Sequence, residues 1–292
     1  MQKLKKMETR PYVVSGDIYL LLSKWAKEKN FILPEKEFFQ ELRQELKNYL
    51  GQMFIWYEYI SEEEISGHLR FAARRTNLPC VSLDPVYFPG DFPLALTRAV
   101  DLNLADRGLR HRFASSSLLK QLKSIKESGV KEVCLVDDVI FSGVLATRVI
   151  ELLSYLGIKV KSVCAGVGIN EGLNKINQSR EICCARVYEE VADEVCERDF
   201  YLGVPYSGRS LLGEKNIGLP YFLPFGNPTK WASIPEQKQK EFSRFCLWQS
   251  IILFREIEKS SQKIISCRDI ERQVPGQPQN GLYLNFLKSL NV

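Results

Sequence analysis

Histidine is scarce in this chain of 292 residues, which contains only His68 and His111, far apart in sequence. The eight cysteines include no Cys-x-x-Cys pair. A zinc site built from Cys and His pairs is therefore not expected, and no histidine-based catalytic triad is evident. Cys134 and Cys164 lie within apolar runs, where cysteine is typical of a small core residue. Unpaired cysteines suit a reducing compartment, so we expect a cytoplasmic protein.

Long apolar runs are also absent. No segment approaches the roughly 20 apolar residues of a membrane helix, and the basic N-terminus is not followed by the apolar stretch of a secretory signal. We therefore expect no membrane association. The net charge of +5 is mild. Because no dense basic stripe with interleaved aromatics is present, a nucleic-acid partner is permitted but not indicated.

The first part of the chain has the spacing of apolar residues that is typical of helices. Apolar residues recur at helical spacing through residues 15–78, and Ser61 with Glu64 forms a capping box. The pattern changes at residues 78–79. The stretch "PCVSLDPVYF" then indicates a strand, and "PGDFPLALTRAVDL" predicts a break and a new helix.

Strands and helices alternate clearly from residue 115. "SSSLLKQLKSIKESGV" predicts a capped helix, "KEVCLVDD" a buried strand, "LATRVIELLSYLG" a helix and "IKVKSVCAGVG" a second strand. A strand, a helix and a strand in this order form a βαβ unit, which implies a parallel sheet covered by helices. The predicted fold class is therefore α/β. Residues 185–191 indicate a further strand, and residues 236–259 a long amphipathic helix.

These patterns predict three regions in chain order. A helical N-terminal region covers residues 1–78. The α/β domain covers residues 79–235 and ends in a loop-rich hood at about 195–235. A C-terminal helix and tail cover residues 236–292, and this helix is expected to cover a sheet face or a subunit interface.

The stretch "VCLVDDVIFSGVLA" carries the candidate site. Asp137 and Asp138 follow an apolar strand, and ligands of open α/β sheets bind at the carboxyl ends of strands. The next loop leads into a helix N-terminus, which attracts phosphate. Either aspartate alone is more typical of a loop cap, but two adjacent carboxylates repel each other and are hard to explain by structure alone. Hydroxyl acceptors beside an anion site predict a sugar phosphate as ligand.

The stretch "VCLVDDVIFSGV" resembles the phosphoribosyl diphosphate (PRPP) motif of type I phosphoribosyltransferases, and the order of elements extends the resemblance over roughly residues 115–168. The resemblance implies that Asp137 and Asp138 hold the ribose 2′- and 3′-hydroxyls. It places the 5-phosphate on Ser142 and Gly143 and on the backbone of residues 144–146, which are Val144, Leu145 and Ala146. Val144 and Leu145 replace the family's second glycine and second hydroxyl residue. A β-branched valine resists the left-handed backbone angles that glycine accepts, and Thr147 is a partial substitute for the hydroxyl.

The resemblance also implies a diphosphate loop, a closing basic loop and a hood over the base. The diphosphate loop corresponds to residues 82–91, which contain two acids and no Lys or Arg. Mg²⁺ would be held through the substrate diphosphate, and no protein metal site is predicted. The basic segment "DRGLRHR" equally fits a solvated loop, and for any single hood residue simple packing is the better interpretation. The candidate substrate-binding residues of these parts are Arg107, Arg110, Arg112 and Arg209.

Two functions remain open at this point. One is an enzyme that transfers the pentosyl group of PRPP, with a ribose phosphate or nucleotide as ligand. The segment "LPYFLPFGNPTKW" and the order of regions also loosely resemble effectors proposed for bacterial anti-phage systems. The alternative is a catalytically inactive ligand sensor or partner-binding subunit on the same fold, which Val144, Leu145 and the acidic loop favour. A protein partner or a homo-oligomer is compatible with either.

Overall fold

The computed structural model of the protein describes residues 9–177 and 180–292. The basic start of the chain, residues 1–8, lies outside this part. The chain divides into two compact units, each made of separate segments. The first unit consists of Met1–Tyr59, Arg98–Gly108 and Ala192–Val292, and the second unit of Ile60–Thr97 and Leu109–Val191.

The described residues form twelve strands and nine α-helices. The strands are β1 (Tyr12–Ser15), β2 (Tyr57–Ile60), β3 (Cys80–Ser82), β4 (Phe92–Pro93), β5 (Leu96–Val100), β6 (Asp106–His111), β7 (Glu132–Ile140), β8 (Lys159–Ile169), β9 (Glu181–Tyr188), β10 (Asp193–Cys196), β11 (Arg209–Leu211) and β12 (Gly218–Leu219). The α-helices are α1 (Ile18–Lys29), α2 (Lys36–Leu50), α3 (Glu62–Thr76), α4 (Leu118–Glu127), α5 (Val144–Tyr155), α6 (Asn170–Ile176), α7 (Pro228–Trp231), α8 (Gln239–Ser261) and α9 (Tyr283–Ser289).

The second unit is built on a five-stranded parallel sheet with the strand order β4-β3-β7-β8-β9. Helix α5 connects β7 to β8, and α6 connects β8 to β9. Helix α3 packs against β7, β8 and β9. Ser61 caps α3 by accepting a hydrogen bond from the backbone of Glu64, as predicted. The predicted α/β class, with a parallel sheet flanked by helices, is confirmed.

The core of the second unit lies between one face of this sheet and helices α4 and α5. Leu135 and Val163 point from adjacent strands into it and are fully buried. Leu122 and Val149 meet them from the two helices. Because strand residues alternate between the two faces, the apolar run in β7 supplies this core with every second side chain and faces α3 with the others.

The first unit contains two smaller sheets and most of the long helices. One sheet has the order β10-β1-β2, with β1 and β10 parallel, and the other has the order β12-β11-β5-β6. Helix α8 buries Leu253, Phe254 and Ile257. The C-terminal α9 packs on it, with the rings of Tyr283 and Phe254 in edge contact at 4.9 Å. The long C-terminal helix predicted at residues 236–259 is thus present at Gln239–Ser261.

The segments that the sequence misassigned are held by distant partners. The region after residue 90, predicted as a new helix, forms β4 and β5 instead. Strand β5 pairs with β11, more than one hundred residues later, through Ala99 and Ser210. The basic segment at residues 106–112, expected to be a loop, is mostly strand β6. The compact units group α3 with the parallel sheet and residues 195–235 with the first unit, and the three predicted regions stay a prediction.

Asp193 on β10 gives the first unit a pH-dependent stability. Burial raises the pKa of Asp193 to about 6, against the lowering effects of a hydrogen bond from Ser233 and the charges of Arg98 and Arg209. The folded state therefore holds this proton more tightly than the unfolded state does. The stability from Asp193 is present below its ordinary pKa of 3.8 and is lost as the pH rises through about 6.

We expect Asp193→Asn to remove this dependence, since the amide keeps the shape and has no proton to lose. The measurement is urea unfolding of both proteins at about pH 4 and about pH 7. The variant should gain stability relative to the native protein at the higher pH. Parallel changes in the two proteins would show that Asp193 does not titrate in this range.

No helix within residues 9–177 and 180–292 combines the length and the apolar character that crossing a membrane requires.

Candidate functional site

Strand β7 extends beyond its neighbour β3, and the two aspartates lie where it does so. Strand β3 ends at Ser82, which is paired with Val136. Strand β8 continues beside β7 and pairs Asp137 with Ala165. The strand predicted to end at the aspartates therefore continues to Ile140. Within the part of the chain that the structure describes, no strand of the sheet pairs with the β3 side of β7 from Asp137 onward.

This position is the switch point of the sheet. Strands β3 and β7 are neighbours in the sheet. The strand order continues from β3 to β4 on one side, and from β7 to β8 and β9 on the other. In open parallel sheets with this order, the crevice outside the carboxyl ends of the two central strands is the usual ligand site. Asp137 and Asp138 stand where β7 runs on past β3, and their role in binding a ligand stays a prediction.

A third carboxylate joins the pair. Asp84, Asp137 and Asp138 are all buried, with 5%, 4% and 7% of their surface exposed. Asp84 follows the end of β3 and accepts a hydrogen bond from the backbone N–H of Val86 at 2.9 Å. Burial raises the pKa of Asp137 well above its usual range, and the charges of Asp138 and Asp84 raise it further. The carboxyls of Asp84 and Asp138 therefore lie close enough to Asp137 to disfavour its charged form.

The loop after β7 is fixed by close backbone packing. Gly143 precedes α5 and adopts the left-handed conformation, with φ of 70°. A Cβ atom at Gly143 would lie 2.7 Å from the carbonyl oxygen of Gly172 in α6. Val144 is the first residue of α5 and has no positive φ. The strain expected from valine in place of the family's second glycine is therefore absent.

The predicted phosphate residues surround the N-terminus of α5. Val144 is 61% exposed, Leu145 packs against the core and Ala146 is buried. The Oγ1 atom of Thr147 is buried and, within residues 9–177 and 180–292, has no hydrogen-bond partner. The first turn of this helix thus offers backbone N–H groups, the dipole and one unused hydroxyl.

Lys175 is a nearby cation that sequence reasoning missed. Its Nζ atom donates a hydrogen bond to the carbonyl oxygen of Ser142 at 2.9 Å and also contacts Glu171 at 3.3 Å. The residue is on α6, and only the packing of α6 against the loop brings it here. No motif in the sequence marks it. Glu171 and Lys175 form an ordinary i,i+4 pair that is typical of an exposed helix face.

The four predicted arginines are divided between the two units. Arg107 pairs with Asp101 through Nε at 2.9 Å, and Arg110 is exposed. Arg209 stands over the ring of Trp231 at 4.6 Å and lies 3.6 Å from Asp106. Arg107 and Arg209 belong to the first unit, while Arg110, Arg112 and the aspartate pair belong to the second. Their contact with a ligand stays a prediction.

Comparisons with known proteins give only remote likenesses among solved structures. No protein family and no curated protein matches the chain. Among solved structures, the chain is similar to the adenine phosphoribosyltransferase from Thermoanaerobacter pseudethanolicus, with 13% sequence identity and a TM-score of 0.26, over 42% of this chain and 79% of that one. This likeness is too remote to assign a function to the chain.

The contact between Gly143 and Gly172 can be tested by substitution. Gly143→Ala is expected to destabilise the protein more than Gly129→Ala does. Both glycines have left-handed angles, with φ of 70° and 81°, so both variants bear the same backbone strain of about 1 kcal/mol. Only the Cβ at position 143 meets backbone atoms, since nothing lies within 4 Å at position 129. Thermal unfolding measures the difference, and equal losses would contradict the close packing.

Proposed function

We propose that the second unit binds the ribose 5-phosphate part of PRPP or of a nucleotide, and that the protein is phosphoribosyltransferase-like. The observation that supports this most is the position of Asp137 and Asp138. They lie at the switch point of a parallel sheet, one short loop before the N-terminus of α5. Few ligands other than a sugar phosphate carry adjacent hydroxyls and an anion at this spacing.

In this proposal, the ribose hydroxyls and the 5-phosphate each bind to particular residues of the second unit. The ribose hydroxyls donate hydrogen bonds to the carboxylates of Asp137 and Asp138. The 5-phosphate accepts hydrogen bonds from the backbone N–H groups of residues 144–146 and from the Oγ1 atom of Thr147. Lys175 adds a cation at the same loop, 2.9 Å from the carbonyl of Ser142.

Mg²⁺ fits this site as a partner of the substrate. In the described part of the chain, no group of three His, Cys, Asp or Glu side chains is arranged to hold a metal ion. Mg²⁺ usually binds through one or two carboxylates together with substrate phosphates and water. Asp84 and Asp137 supply such oxygens, and when bound the ion would neutralise charge on a leaving diphosphate.

Isothermal titration with PRPP, ribose 5-phosphate and nucleoside monophosphates, each with and without Mg²⁺, tests the proposal. We expect binding of at least the ribose 5-phosphate group. As a control, ribose without phosphate should bind far more weakly, because it lacks the group that the helix N-terminus holds. Failure of every phosphorylated sugar to bind would overturn the proposal.

A second candidate function is a ligand sensor without catalysis. Asp84 places a carboxylate near Asp137, and residues 82–91 contain no Lys or Arg to hold a diphosphate. Release of diphosphate from PRPP distinguishes the two candidates, since a sensor binds without turnover. An active transferase acting on a nucleotide would deplete a metabolite, the role that the loose resemblance to anti-phage effectors suggests.

Leu145→Thr addresses the departure from the phosphoribosyltransferase motif. A threonine here restores the family's hydroxyl in the first turn of α5, and we expect PRPP binding to tighten by about 1 kcal/mol, the contribution of one neutral hydrogen bond. Val144→Gly is the matched control, because valine is unstrained and its replacement restores no donor. Calorimetry of both variants measures the effect. A loss of binding in Leu145→Thr would favour a sensor in which Leu145 shapes the site.

A further inference from the structure

A row of cysteines crosses one face of the parallel sheet. Cys80 is paired with Cys134 in the ladder between β3 and β7, and Cys164 is paired with Cys183 in the ladder between β8 and β9. The Sγ atoms of Cys134 and Cys164 are 3.6 Å apart. By strand alternation these side chains face away from the apolar core of the second unit. The row therefore lies on the face that α3 covers.

The row ends at an imidazole. The Nε2 atom of His68 on α3 lies 3.7 Å from the Sγ atom of Cys183. An ion pair between Glu64 and Arg186, at 2.7 Å, joins the same helix to the same strand and holds the two side chains in place. Cys183 is partly exposed, whereas Cys80, Cys134 and Cys164 are buried. Within the row, Cys183 thus combines access from solvent with a neighbouring base.

Cys164 stands where it can react with Cys183. Neighbouring strands lie about 4.7–4.9 Å apart, and a disulfide requires Cα atoms about 4.4–6.8 Å apart. Two residues paired directly across a parallel ladder therefore satisfy the Cα spacing of a disulfide. The hydrogen bond with Cys134 and burial raise the pKa of the Cys164 thiol. Because Cys164 is buried, it is closed to external reagents, and its partner across the ladder is Cys183.

We propose that Cys183, with His68 as its proton acceptor, is a peroxide-reactive thiol, and that Cys164 converts its oxidised form into a disulfide between β8 and β9. This modification site lies apart from the ribose phosphate proposal and does not depend on it.

The reaction has two balanced steps. In the first, His68 takes the thiol proton, the thiolate attacks one oxygen of hydrogen peroxide, and the O–O bond breaks to give the sulfenic acid of Cys183. The leaving hydroxide takes the proton back from His68 and departs as water. In the second, the Cys164 sulfur attacks the Cys183 sulfur, the S–O bond breaks, and the disulfide and a second water form. Hydrogen peroxide is the only oxidant needed, and it is reduced to two molecules of water.

Cys184 provides an internal control. It follows Cys183 directly and is also partly exposed. Its side chain packs against the apolar core on the other face of the sheet, and burial raises the pKa of its thiol to about 12. The two neighbours therefore differ in their chemistry while sharing one strand.

The first experiment is timed alkylation of the native protein with iodoacetamide, read by peptide mass spectrometry. Cys183 is expected to be labelled first among the eight cysteines, and at least about tenfold faster than Cys184. His68→Gln should slow the labelling of Cys183 about tenfold, because glutamine cannot accept the thiol proton. The comparison within the native protein needs no variant, so it stands even if His68→Gln folds poorly. Labelling of Cys184 or of another cysteine ahead of Cys183 would overturn the proposal.

The second experiment treats the protein with hydrogen peroxide. The expected product is a disulfide that joins the peptides of Cys164 and Cys183, reversed by a thiol reductant. Cys164→Ser should instead leave Cys183 as a sulfenic acid that dimedone traps, and Cys184→Ser should behave as the native protein does. A disulfide between another pair, or no oxidation of Cys183 under conditions that alkylate it, would contradict the assignment of Cys164.

Discussion

Replacing Asp17 by alanine is expected to destabilise the first unit by about 3–5 kcal/mol, the usual cost of breaking a buried ion pair. Asp17 is fully buried, and Oδ2 accepts a hydrogen bond from Nη1 of Arg198 at 2.8 Å. Its Oδ1 accepts from the backbone N–H of Arg198 at 2.9 Å. Since a guanidinium cannot lose its charge in a protein, the variant leaves Arg198 buried without this counter-ion.

Urea unfolding of Asp17→Ala beside Glu28→Ala measures this effect. Glu28 is exposed on α1, the helix that Asp17 precedes, so its replacement should change stability by no more than about 0.5 kcal/mol. Asp17→Asn keeps an acceptor oxygen but not the charge and should fall between the two. A loss below about 1 kcal/mol in Asp17→Ala would mean that Arg198 finds compensation elsewhere.

The parallel sheet could be predicted because its signals are local. The segment from Glu132 to Tyr155 carries an apolar strand, a loop glycine and a helical period within two dozen residues, and each element agrees with the next. Strand β1 has four buried residues and pairs with β10, about 180 residues later. Such pairing leaves no mark in the neighbouring sequence. For the same reason β5 was predicted as a helix.

The residues of the candidate site also fall into those that local sequence could predict and those that it could not. Asp137 and Asp138 are adjacent in the chain, so the sequence alone shows that two carboxylates lie side by side. The contribution of Asp84 depends on β3 ending at Ser82, and that of Lys175 on α6 packing against the loop at Gly143. Strand length and helix packing are tertiary properties. The sequence could therefore place two candidate acceptors side by side, but it could not place the third carboxylate or the cation near them.

The double variant Asp137→Asn/Asp138→Asn is expected to weaken ribose phosphate binding by about 3–6 kcal/mol, since each charge-assisted hydrogen bond contributes about 1.5–3 kcal/mol. This corresponds to a loss of affinity of about 10²- to 10⁴-fold. The amides keep the size of the side chains but cannot act as anionic acceptors. Titration of native and variant protein with the phosphorylated sugar that binds the native protein most tightly measures the change in affinity.

The unfolding stability of the double variant shows whether a loss of affinity comes from a lost contact or from loss of the folded structure. Burial and mutual repulsion raise the pKa of Asp137, so the two carboxyls oppose folding at neutral pH, and their neutral replacements should leave the protein as stable as before or more stable. Glu132→Gln is the matched control, because Glu132 is on the same strand and its partner Lys161, at 3.1 Å, is exposed. The Glu132→Gln variant should bind normally.

Loss of affinity without loss of stability, confined to the aspartate variant, would identify the pair as a binding site retained at the expense of stability. Unchanged affinity for every sugar phosphate would exclude the pair as the hydroxyl acceptors.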